Sequence, residues 1–242
     1  MTLIDRLSLM TPLDAFALVF LASCWCFIGW WIERPNAKTP SVTTLMAEYR
    51  REWMRQMVPR DPRIFDSTIL ANLRQGTTFF ASGCMIAIGG LLAMVGNTKQ
   101  IQLVASDLTS ANVPSFIWQV KLLVVSLLLT HGFLKFVWSN RLFGYCAVVM
   151  ASVPNKLTEP TAYGRAAQAG EINIRAAWNF NRGLRAIYFS LGALAWLLGP
   201  IPLIVATCFV TYTIWQREFS SLPRTILLSG PDFPAATVEK QT

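Results

Sequence analysis

The chain is short of charge. Asp, Glu, Lys and Arg make up 14% of its 242 residues, against about a quarter in an ordinary soluble domain. A soluble fold of this size needs more polar surface than that and is excluded. Histidine is scarcer still, with His131 alone. One imidazole rules out His-rich metal sites. No Ser-His-Asp set, H-E-x-x-H helix, P-loop or G-x-G-x-x-G turn is present either. No run alternates apolar with polar residues as the strands of a membrane barrel must, and there is no internal repeat. Cys24, Cys26, Cys84, Cys146 and Cys208 all lie in apolar stretches, where a free thiol behaves as a small hydrophobe. They make no disulfide framework, and the C-x-C pair has no neighbouring ligand to build a zinc or haem motif. Catalytic residues, metals and cofactors are therefore not expected.

What is present is apolar length. Ala15 to Ile32 and Gln75 to Thr98 contain no charge, and each approaches or exceeds the ~20 residues that carry a helix across ~30 Å of hydrocarbon. A third stretch from Val113 to Val137 is interrupted by Lys121, His131 and Lys135, and Ala186 to Gln216 is uncharged throughout. This last stretch reaches about 46 Å as a helix and carries Gly199-Pro200-Ile201-Pro202 at its middle. Proline removes a helical hydrogen bond, so one kinked span is expected, with a re-entrant hairpin as the alternative. Leu21-Ala22-Ser23-Cys24 matches a lipoprotein cleavage box, but the apolar run continues past it to Ile32, and an uncleaved first span is the better reading.

These stretches predict an all-α polytopic membrane protein, with four transmembrane helices near 14–32, 76–97, 113–137 and 186–216 plus cytoplasmic amphipathic helices. The spans and connections form a single membrane domain over 1–228, followed by a polar tail over 229–242. The connections at about 41–75 and 158–185 read as helical. At 100° per residue Val42, Leu45, Met46, Tyr49, Trp53 and Met57 share an arc opposite Glu48, Arg51 and Arg55, as in an amphipathic helix. Asp61-Pro62 reads as an N-cap and first helical residue, opening a helix whose Phe65, Ile69 and Leu73 share a face. Residues 33–76 hold eight Lys/Arg and 136–185 hold six, against one before the first span and one between the second and third. With three in the tail, this alternation places both long connections in the cytoplasm and both termini in the periplasm.

An ordered string of motifs runs through these segments: REWMRQM at 51–57, DPRIFDSTIL at 61–70, FFAS at 79–82, FVWSNRLFGYCA at 136–147, FNRGLRAIYFSL at 180–191 and WQREF at 215–219. Their order and spacing over roughly residues 14–220 resemble the bacterial membrane family labelled domain of unknown function 599. The resemblance implies a four-helix protein of the bacterial inner membrane, without an established activity, and assigns no catalytic or ligand-binding role to any position.

Ionisable groups inside a span are the default functional candidates, because each is costly to keep there. Lys121, His131 and Lys135 fall within about 80° of one another on the third span. They make either a stripe for a proton or an anion, or two cations snorkelling to opposite interfaces with a packed histidine between them. Asp14, at the start of the first span, is expected to face Lys121 from a similar depth. Gly83, Ala87 and Gly90 form a small-residue strip read as packing within the molecule. Tyr49, Arg50, Arg51, Trp53 and Arg55 are candidates for contact with anionic lipid headgroups or a protein partner. Asn181, Arg182 and Arg185 join them, either as a phosphate cradle or as ordinary flanking charge. Net charge +8 follows from the cytoplasmic segments and points to no nucleic acid. The expected role is a non-catalytic accessory or scaffold component of the inner membrane in contact with lipids and other membrane proteins. The alternatives are a small transporter or channel using the Lys121/His131/Lys135 stripe and, behind it, an intramembrane enzyme.

Overall fold

Thr11 opens the first helix, α1 (Pro12–Ile32), with a reciprocal capping box. The Asp14 N–H donates to Thr11 Oγ1, and the Thr11 N–H donates to Asp14 Oδ2. The computed structural model describes residues 10–34, 38–97, 115–156 and 158–230. The remaining helices are α2 (Val42–Met57), α3 (Ile64–Gly96), α4 (Ser115–Ala151), α5 (Ala162–Leu194), α6 (Pro200–Phe219) and α7 (Leu222–Leu228), with a 3-10 turn at Ala195–Leu198. There is no strand among the described residues. By length and composition α1, α3 and α4 can each cross a membrane. The expected polar tail lies outside the described residues beyond Gly230, as do Val113 and Pro114.

The 186–216 segment is not one kinked helix. Gly199 sits at φ +127° and ψ 174°, a backbone state that a residue with a Cβ rarely adopts, and the two prolines after it sit in the first turn of a new helix. A methyl placed on Gly192 would lie 3.2 Å from Val210 Cγ2, and Arg217 donates to the Tyr188 hydroxyl. α5 and α6 are therefore an antiparallel hairpin with its apex at Gly199. Neither arm is short, because α5 has already run 33 residues and α6 runs 20.

The hairpin sets the ends of the bundle. Asp14 binds Trp196 beside the apex, whereas Trp31 packs at a tilt against Phe219 and Ser41 Oγ donates to the Ile32 carbonyl at the other end, the base. Arg224 Nε donates to the Pro40 carbonyl, also at the base. The described ends of the chain, Met10 and Gly230, thus lie at opposite ends of the bundle and not on one side. The return of α6 is the reason.

α3 and α4 are longer than the expected spans, at 33 and 37 residues, or about 50 and 56 Å at 1.5 Å per residue. Their surplus, with α2 and the first half of α5, forms the base. The molecule accordingly has two apolar cores joined by continuous helices. The upper one includes Ala17, Leu21, Ile28, Val125, Phe136, Phe189, Trp196 and Leu203. The base core gathers Met54, Met57, Leu70, Phe143, Cys146, Met150 and the small face Ala162, Ala166, Ala169 of α5. In water each fully buried Met or Phe of this second core contributes about 1.5–3 kcal/mol.

Three local expectations shift. α2 buries Thr43, Ala47, Met54 and Met57, an arc rotated by roughly 90° from the expected one, leaving Met46 and Tyr49 exposed. The Asp61–Pro62 peptide is cis and the helix begins at Ile64, with Arg63 as its N-cap residue. α3 then buries Asp66 and Leu70, with Phe65 exposed, because Asp66 accepts from Trp53 Nε1 at 2.6 Å and Arg60 Nη1 at 2.6 Å. The Gly83 and Gly90 strip does not pack within the described residues, since a methyl on either meets nothing within 4 Å. The close helix approach is elsewhere: a methyl on Gly183 of α5 would lie 2.7 Å from Phe136 Cε1 of α4.

Candidate functional site

At the apex end, Asp14, Lys121 and Trp196 converge. Asp14 has both oxygens occupied: Oδ2 accepts from Thr11 N and Oγ1, and Oδ1 accepts from Trp196 Nε1 at 2.7 Å. Lys121 is 5% exposed, and its Nζ lies 5.1 Å from the Trp118 ring centroid and 5.6 Å from that of Trp196. The ammonium is held against two aromatic faces, a favourable placement away from water. Asp14 and Lys121 thus share Trp196, one on its N–H and one on its face, and are not an ion pair within 4 Å.

His131 and Lys135 lie further down α4, ten and fourteen residues on. His131 is half-buried, with its ring edge-on to Trp25 at 4.9 Å. Between Lys121 and His131 the same face carries Val124, Val125 and Leu128, of which Val125 and Leu128 are buried. The nearby hydroxyls serve their own helix, Ser126 donating to the Leu122 carbonyl and Thr130 to that of Ser126. The stripe that is contiguous on a helical projection is separated in space by about 15 Å of apolar side chain.

Where the upper core meets the base, the charges are paired. Glu33, just past α1, accepts from Arg182 Nε at 2.9 Å and also from Arg182 Nη2 and Arg185 Nη2. Burial alone would raise the Glu33 carboxyl, but the Arg182 hydrogen bond and the two guanidinium charges outweigh it and hold the carboxyl below its ordinary value. The same hydrogen bond raises Arg182. The anion between the two arginines is therefore the protein's own. Glu33 is not singled out by the sequence; its signal is a lone acid at the end of the first uncharged run, matched by two cations just before the uncharged run that starts at Ala186. Beside it runs a second chain, in which Asn181 Nδ2 donates to Thr43 Oγ1 at 3.1 Å and Thr43 donates to Glu218 from its hydroxyl and its N–H.

α2 is tied to the base by the other candidates. Arg51 bridges Glu48 and Glu171 on α5, Trp53 reaches Asp66 on α3, and Arg50 donates to Asn173 Oδ1 on α5. Burial lowers the proton affinity of Arg50. Arg55 is exposed and among the described residues meets only Glu52 of its own helix, and Tyr49 is exposed. Among the described residues no group of three His, Cys, Asp or Glu side chains is placed to hold a metal.

The motifs noted in the sequence supply these joints. FNRGLR gives Phe180 against Phe80 and Phe136, Gly183 against Phe136 and the two arginines on Glu33. WSN gives Ser139 to the Ala176 carbonyl and Asn140 to Thr77 and Thr78. DPR gives Arg63, which donates to the carbonyls of Val58, Val153 and Pro154. No curated protein and no solved structure matches the chain. Residues 16–223 match the model of a family described as "Protein of unknown function, DUF599", and with the motif residues placed at its helix contacts the chain belongs to that family.

Proposed function

We propose that this protein is a non-catalytic organising component of the bacterial inner membrane whose working part is its cytoplasmic base. On this reading α1, the upper parts of α3, α4 and α5, and α6 make five crossings, because the hairpin arms contribute two. The charge pattern supports it. The segments on the base side, 33–76, 136–185 and 217–242, hold eight, six and three Lys/Arg, while the opposite side holds one before the first crossing, one between the second and third, and none at the hairpin apex. That is the bias expected with the base in the cytoplasm, and it is cleaner than the four-span count, which leaves the three tail cations outside.

The observation that carries the role is the double face of α2. One arc is buried in the base, and the arc opposite it, with Tyr49 exposed at one margin, Glu52 and Gln56 between and Arg55 at the other, is left outward. Such a mixed face suits anionic headgroups or the surface of another membrane protein. A transport route finds less support, since the Lys121–His131 interval is apolar and Lys121 is covered by tryptophan. The test is complementation of a deletion strain. Lys121→Met and His131→Gln, each alone, should rescue fully, whereas a Tyr49→Ser, Arg55→Glu double variant that accumulates normally should not. Loss of rescue by the first pair with retention by the second moves the function into the bundle.

A further inference from the structure

A cavity of about 250 Å3 lies between α2 and α5 beneath the end of α6, lined among others by Thr43, Arg50, Trp178, Asn181 and Glu218. Two charges of opposite sign face it, and among the described residues they meet neither each other nor any other counter-ion. Arg60, Arg182 and Arg185 have carboxylate partners, and Arg63 has three carbonyls. Arg50 has one amide oxygen, that of Asn173. Among the described residues Glu218 accepts from the neutral Thr43 alone. In the same wall the Trp178 indole N–H is buried and has no acceptor. Uncompensated charges and orphan donors are costly even in a half-buried place, and a protein that keeps both signs around one cavity is arranged for a ligand that carries both.

The geometry points to a binding site for a small free zwitterion, a primary amine joined to a carboxylate or phosphate, with its acid group on Arg50 and its amine on Glu218 and the Asn181 amide oxygen. This goes beyond the organising role and takes from it only the placement of the base in the cytoplasm. The order of the charges separates a free ligand from a lipid headgroup. Glu218 is bonded at the level of Thr43, near the upper core, and Arg50 lies seven residues further into the base, about 10 Å along α2. A phosphatidylethanolamine entering from the membrane presents phosphate first and amine last, the reverse of this order.

The full chain is titrated in detergent and in nanodiscs with O-phosphoethanolamine and γ-aminobutyrate, with inorganic phosphate and ethanolamine as half-ligands, following the unfolding midpoint and tryptophan fluorescence. At least one zwitterion should bind saturably and more tightly than either half-ligand. Glu218→Gln, which still accepts from Thr43, should weaken that binding about tenfold or more while leaving phosphate unaffected. Arg50→Gln should abolish both. No saturable response to either zwitterion, or an equal response in wild type and variants, overturns the assignment. Occupation of the site by phosphatidylethanolamine in nanodiscs, blocking the free zwitterion, overturns the free-ligand source. Should Arg50→Gln fail to fold, the Glu218→Gln comparison decides.

Discussion

Glu33 is the residue on which most depends. It is the shared carboxylate partner of Arg185, 7% exposed in its side chain, and of the more open Arg182. Removing one partner from a buried charge cluster costs about 3–5 kcal/mol, and the exposure of Arg182 brings the expectation for Glu33→Gln to the lower end, about 3 kcal/mol of stability in detergent. The pH dependence follows from the lowered carboxyl. A carboxylate whose folded value lies below its unfolded one stabilises the protein above about pH 4 and loses that contribution as pH falls through the folded value. The gap between wild type and Glu33→Gln should therefore be full at pH 7 and close on acidification; a gap constant down to pH 3 would contradict the ion cluster. Gly183→Ala should cost about 1–3 kcal/mol, because its methyl must displace the fully buried Phe136 ring in a packed interface.

At the scale of the element, the uncharged runs were read correctly as helices, and the break at Gly199 was visible as Gly-Pro-x-Pro. What the chain does after the break was not, because a kink and a reversal share the same residues; contacts from Gly192 to Val210 and from Tyr188 to Arg217 decide between them. The continuation of α4 to Ala151 was illegible for a different reason, since Trp138 to Tyr145 mixes charge, amide and aromatics with no clean apolar period. α2 misleads because its buried arc is made of Thr43 and Ala47 with two methionines, Arg50 half-buried among them, while the showier Tyr49 and Met46 stay outside. The hairpin makes a direct prediction: a green fluorescent protein fused after Phe219 should fluoresce and an alkaline phosphatase fused there should be inactive. The opposite pair of results would restore a single span.

The whole molecule has two cores but not two separable halves, because α3, α4 and α5 run unbroken through both. Met54→Ala removes a fully buried side chain from the base core alone and should cost about 2–5 kcal/mol. Fluorescence of Trp53 in the base and of Trp25 above it, each as the sole tryptophan, should report one shared transition at the lowered midpoint. Two separate transitions would show that the continuous helices do not couple the storeys. The membrane character of the chain was legible from composition alone; its pocket was not, since Arg50 and Glu218 are 168 residues apart and only the return of α6 brings them to one cavity.

The contact of Asp14 with Trp196 bridges 182 positions, and α1 packs chiefly on α5 and α6, which the ribosome makes long after it. α1 thus finds these neighbours only after α2 to α5 have been made, and until then its Asp14 carboxylate lacks the indole that later binds it. Closure of the bundle is in effect a check on completion: a chain truncated before Trp196 leaves α1 without the indole that clasps Asp14.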